Sequence, residues 1–120
     1  MTYEALETVL LSRKGTVVEY PFGPEAAVFK VAGKMFAIVA WKEDPLQVSL
    51  KCDPAEADYL RGTFEAIRPG YHLNKNHWNT VTLDGSVPES LLRKMIDSSY
   101  ALVVKGLTKA EQKQLEVNNV

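Results

Sequence analysis

Apolar residues at Tyr3, Leu6, Val9 and Leu10 recur at three- and four-residue spacing. That stripe predicts a helix over residues 3–12, capped by Thr2 and ended by Gly15. The period then shortens. Thr16-Val17-Val18-Glu19-Tyr20 reads as a strand, stopped by the turn Pro21-Phe22-Gly23-Pro24. Ala27–Val31 and Met35–Trp41 flank Ala32-Gly33, a hairpin signal in which Gly33 suits a positive φ. Residues 35–41 are apolar throughout, so both faces of that strand are expected to be covered or nearly so. In Gln47–Cys52 polar and apolar positions alternate: Val48, Leu50 and Cys52 should face inward, Ser49 and Lys51 outward.

A helical pattern returns at Asp53-Pro54-Ala55-Glu56, with Asp53 as cap, Pro54 in the first turn and Glu56 completing a capping box. It should run to about Arg61-Gly62. Ile67-Arg68-Pro69-Gly70 reads as a break. Thr80–Leu83 reads as a last strand, starting as early as His77, with Asp84-Gly85 as its turn. Ser86 and Glu89 then mark the start of a long helix, whose inner face is Leu92, Met95, Ile96, Ser99 and Val103. Thr108 and Glu111 repeat the capping logic before a short C-terminal helix. The order α-β-β-β-β-α-β-α-α with tight turns implies antiparallel pairing. The expected fold is an α+β two-layer domain over residues 1–120, an antiparallel sheet with helices on one face.

Composition narrows the functions open to this chain. With 14 basic and 15 acidic residues in 120, its surface is no general polyanion magnet. The lone cysteine, Cys52, excludes an internal disulfide and suits a reducing compartment. No apolar run approaches the ~18 residues of a membrane span, and MTYEALETVLLSRKG lacks a signal peptide's charge order. A cytoplasmic protein without a membrane role is expected.

The candidate chemistry lies in GYHLNKNHWNTV, residues 70–81, which holds both histidines and one of the two tryptophans. From Ala66 to Leu83 there is no acid, while Arg68, Lys75, His72 and His77 are present. His72 and His77 are five residues apart, which places them on no common face of a helix or strand, and a zinc site needs three or four ligands. Cys52 precedes a helix start, but its alternation points it inward, where thiols are inert. No phosphate-cradling glycine loop and no Gly-x-Ser-x-Gly is present. As a surface, the same stretch offers amides from Asn74, Asn76 and Asn79 and flat rings from Tyr71, His72, His77 and Trp78. Lys75 and Arg68 add charge, a mixture suited to phosphates and bases. The architectural alternative is that the glycine and the asparagines serve turns and Trp78 pins the loop to the core.

Several segments in order resemble one family. They are Tyr20-Pro21-Phe22-Gly23, Val28–Ala37, Leu50-Lys51-Cys52-Asp53-Pro54, Pro69–Lys75, His77-Trp78-Asn79-Thr80-Val81, Leu83–Pro88 and Ile96–Tyr100 with Leu102-Val103-Val104. Together, over about residues 3–110, they are similar to the MmcQ/YjbR family. The resemblance implies a small bacterial protein with a CyaY-like (frataxin-like) fold and DNA binding through a double wing of β-hairpins. The wings here would be the hairpin at Gly33-Lys34 and the 68–80 loop. Relatives often carry a basic residue where Asn76 stands, so this chain lacks one charge there. Iron binding in that fold uses an acidic ridge, for which the first helix offers only Glu4 and Glu7.

The expectation is therefore a non-enzymatic DNA-binding protein with no cofactor and no metal. Its contacts to duplex DNA would be Lys34, Lys51, Arg68, Tyr71, His72, Asn74, Lys75, His77, Trp78 and Asn79. The alternative is a protein-interaction or small-ligand module, with a protein partner or a second copy of the chain covering an apolar face.

Overall fold

The computed structural model describes residues 1–70 and 73–117. Its elements run α1 (Tyr3–Leu11), β1 (Thr16–Glu19), β2 (Ala26–Val31), β3 (Lys34–Ala40), β4 (Gln47–Lys51), α2 (Pro54–Thr63), β5 (Ile67–Pro69), β6 (Trp78–Thr82), α3 (Glu89–Lys105) and α4 (Lys109–Val117). The strands form one antiparallel sheet in the order β1-β2-β3-β4-β6-β5.

The sheet has one strand more than the sequence pattern gives. Ile67–Pro69, read there as a break, is β5. The proline misleads because it removes a ladder donor, yet β5 is the edge strand, where one missing N–H is tolerated.

Alternation divides the sheet into two unlike faces. Ala27, Phe29, Ala37, Val39, Val48, Leu50 and Val81 point one way and are buried with Leu6, Leu10, Leu60, Leu92 and Ile96 of the helices. α3 lies across β2, β3 and β4, α2 covers β5 and β6, and α1 packs on β1. The inner face of α3 is the expected set, Leu92, Met95, Ile96, Ser99 and Val103. The other face carries Ser49, Lys51, Thr80, Thr82 and Arg68. On β3, Ile38 and Ala40 are only half-buried on this side, so the strand expected to be covered on both faces is covered fully on one.

Ser99 is buried because it carries out a structural task. Phe36 is an extra residue in β3, since Phe29 pairs with Ala37 but Lys30 with Met35. The β3–β4 ladder stops beside it. The Ser99 hydroxyl closes the gap, donating to the Phe36 carbonyl at 2.6 Å and accepting from the Lys51 amide at 2.8 Å. Two backbone groups that burial would otherwise leave unpaired are thereby satisfied.

The caps follow the sequence in part. Thr2 accepts from the Ala5 amide, and Thr108 and Glu111 form a reciprocal capping box at 2.9 and 3.0 Å. Asp53 stands at the N-cap of α2 but makes no side-chain cap bond. At α3 the cap position is Pro88, not Ser86. The amide and hydroxyl of Ser86 donate instead to Asp84 Oδ1 at 2.9 and 2.6 Å, so the Asp84 turn takes up the serine first.

Candidate nucleic-acid interface

The loop between β5 and β6 starts at a steric necessity. The Gly70 amide donates to the Trp78 carbonyl at 2.8 Å. A Cβ at Gly70 would lie 2.8 Å from Trp78 Cβ, closer than such atoms pack, and a tight 3.3 Å from Leu73 Cβ. Glycine lets the strands close at this point.

Among the described residues, the loop bonds both to itself and to its surroundings. Asn74 Oδ1 accepts from the Asn76 amide at 3.0 Å, an Asx turn, and the Asn74 carbonyl accepts from the His77 amide at 3.1 Å. The His77 carbonyl accepts from the Cys52 amide at 2.7 Å, which ties the loop to the end of β4.

The strongest anchor comes from outside the loop. Arg61, near the end of α2, donates from Nε to Asn79 Oδ1 at 2.6 Å and from Nη2 to the Trp78 carbonyl at 3.1 Å. Nη2 also donates to the Lys75 carbonyl, and Nη1 lies 3.6 Å from Asp58. Asn79 is fully buried, and its amide group donates to the Ala57 carbonyl. One guanidinium thus holds a buried amide and two loop carbonyls in its planar fork. Charge-assisted bonds of this kind contribute about 1.5–3 kcal/mol each when partly shielded from water.

These contacts sort the expected binding residues. Trp78 is 8% exposed and Asn79 not at all, so both are built into the fold rather than offered to a partner. Asn74, Lys75, Asn76 and His77 are exposed at the loop tip. Tyr71 and His72 lie outside the described residues. Lys51 pairs with Trp78 and Arg68 with Thr80 across the helix-free face. Among the described residues no ion pair involves Lys51, Arg68 or Lys75. Lys34 opens β3 beside the Ala32-Gly33 turn, where both residues have positive φ (50° and 78°).

The ladder relates these positions. β3 runs antiparallel to β4 and β4 to β6, so the Ala32-Gly33 turn and the 70–77 loop emerge at the same end of the sheet. Two strand spacings, roughly 10 Å, separate β3 from β6. Asp53 and Glu56, exposed in the first turn of α2, stand at this end too and make the surface mixed in charge.

Cys52 is 8% exposed, and burial, reinforced by Glu56 and Asp53, pushes its thiol up to about 11. It is a thiol and not a thiolate at neutral pH. Among the described residues no cluster of three His, Cys, Asp or Glu side chains is arranged to hold a metal ion, and no helix is long and apolar enough to cross a membrane.

Sequence reasoning missed Arg61. Nothing in its neighbours separates it from any basic residue in the last turn of a helix. Its role exists only once α2 is laid against β6.

The sequence profile of the YjbR family matches residues 11–102. The uncharacterized protein YjbR of Escherichia coli K12 is 36% identical over 115 residues, 96% of this chain and 98% of its own. The uncharacterized protein YbdF of Escherichia coli O157:H7 is 41% identical over 80% of this chain and 79% of its own. Among solved structures, the Deinococcus radiodurans protein DR2400, with its DUF419 domain, superposes with a TM-score of 0.91. It is 45% identical, and the match covers 96% of this chain and 88% of that one. The match in profile, sequence and fold reaches across nearly the whole molecule, and the chain belongs to the YjbR family.

Proposed function

We propose that this protein is a non-enzymatic cytoplasmic module that binds duplex DNA with the two turns at one end of its sheet. The observation that supports this reading is their shared position: Lys34 at one turn and Asn74, Lys75 and His77 at the other flank Lys51, with Arg68 beside them on the open face. The cations serve phosphates and the exposed amides serve base edges or sugar. The mixed charge at this end makes the binding weak and dependent on salt.

Fluorescence anisotropy with a labelled 20-base-pair duplex tests the reading. Wild type should bind with a dissociation constant on the order of 10–100 μM at low salt, the range of non-specific complexes. The slope of log K against log salt should be about −3, for three to four phosphates. Lys75→Ala should lower the affinity and reduce that slope by about one. No binding at ~100 μM protein contradicts the proposal.

A second reading has its own observation. Val17, Tyr20 and Phe22, on or just after the edge strand β1, are 51, 47 and 66% exposed, an apolar rim suited to a protein partner or a second copy. Sedimentation equilibrium of wild type and Phe22→Ser separates the two: a dimer that dissociates on substitution favours this reading.

A further inference from the structure

The helix-free face carries a groove of about 430 Å³ at the β5 edge, within the size range of small-molecule sites. It shares Arg68 with the surface described above, and its polar lining is Gln47, Glu65, Arg68, Thr80, Thr82 and Asp84.

Its charges are separated along the strands. Arg68 stands opposite Thr80. One step further along the ladder, the Thr82 amide donates to the Ala66 carbonyl at 2.9 Å, and Glu65 and Asp84 are the neighbours beyond that pair. Glu65 lies three residues before Arg68 and Asp84 four after Thr80, both outside the strands, so the two carboxylates line the groove beyond the strand ends and Arg68 lines it within β5. Asp84 is oriented: both bonds from Ser86 fall on Oδ1, and they hold its carboxyl below the usual range and ionised. Thr80 is oriented as well, its hydroxyl sharing a hydrogen bond with Ser49 at 2.8 Å.

This arrangement selects among ligands by charge. A phosphate or dicarboxylate gains Arg68 but meets two like charges. A polyamine gains the carboxylates but meets the guanidinium. The complement is a molecule anionic at one end and cationic at the other.

We infer that the groove is a site for a small basic α-amino acid, its carboxylate on Arg68 and its side-chain cation between Glu65 and Asp84. Lysine carries its carboxylate and its side-chain ammonium at the two ends of a flexible four-carbon stem. Gln47 and the threonine hydroxyls line the path between them and suit the α-ammonium. Because each exposed charge pair contributes little, the affinity is on the order of 1 mM.

The test is an NMR titration of the ¹⁵N-labelled protein with L-lysine, without nucleic acid. L-norleucine, which lacks the side-chain cation, and 1,5-diaminopentane, which lacks the carboxylate, are the comparison probes. Saturating shifts at Arg68, Thr80, Thr82 and Asp84 are expected with lysine, and at least ~5-fold weaker binding with either analogue. Arg68→Ala, Asp84→Asn and Glu65→Gln should each weaken lysine by up to ~5-fold. These side chains are exposed, and an unchanged melting temperature verifies the fold of each variant. A response to lysine that does not saturate, equal responses to the three probes, or variants that bind as wild type would overturn the site. None of these outcomes bears on DNA binding, which the anisotropy experiment reads separately.

Discussion

Between β2 and β3 the chain reverses in two residues, Ala32 and Gly33; between β5 and β6 it takes the eight residues 70–77. Both connections emerge at the same end of the sheet and both are candidate wings. The short one is fixed by local chemistry, because two positive φ angles make a turn whose twist matches the flanking strands. The long one is fixed from a distance. Its carbonyls and Asn79 end on Arg61, from a helix that precedes it, and its stem closes only because Gly70 has no side chain. A turn held locally survives changes elsewhere. A loop held by a remote guanidinium keeps its shape only while the helix and sheet stay docked.

The largest effect should come from the buried end of that anchor. Asn79→Ala removes the acceptor of Arg61 Nε and the side-chain donor to the Ala57 carbonyl and is expected to cost about 3 kcal/mol in urea unfolding. A cost near zero would mean that the long loop is held locally after all. Arg61→Ala is expected to cost about 2 kcal/mol. It should also speed hydrogen exchange across residues 73–78 while leaving the Ala32-Gly33 turn unchanged. Exchange that rises equally in both connections would erase the contrast between them.

The short turn makes the opposite prediction. Ala32 holds φ 50° with a Cβ that the left-handed region penalises. Ala32→Asn should therefore stabilise the protein by up to about 1 kcal/mol, read as a rise in the urea midpoint, without altering exchange in the 73–78 loop.

The smallest effect concerns a third connection, the turn after β6. The Ser86 bonds hold the Asp84 carboxyl below its unfolded value. Its contribution is then present above that value, near pH 4, and fades as the pH falls through the folded one. Asp84→Asn should lower the urea midpoint slightly at neutral pH and flatten its dependence on pH below about 4, where the two proteins converge.

How far the sequence could be read follows the same division. The Ala32-Gly33 turn, the alternation of Val48, Leu50 and Cys52, the inner face of α3 and the Thr108–Glu111 capping box are each set within a few residues, and the pattern revealed them. β5 escaped because Pro69 reads as a breaker until its place at the sheet edge is known. Ser86 was assigned to the wrong partner because two local motifs compete for one serine. The candidate site was only half legible. The sequence gathered Trp78, Asn79, Lys75 and His77 into one cluster, but which of them face water depends on Arg61, eighteen residues before Asn79.

The proposed DNA surface depends on a loop whose inner residues serve the fold and whose outer residues, Asn74 to His77, are exposed. An NMR titration of the ¹⁵N-labelled protein with a short DNA duplex at low salt tests this directly. The predicted result is shifts at Lys34, Lys51, Arg68 and residues 74–77, with Asn79 and its Arg61 partner unmoved. Shifts confined to the basic residues of α3 and α4, or none at all, would contradict it.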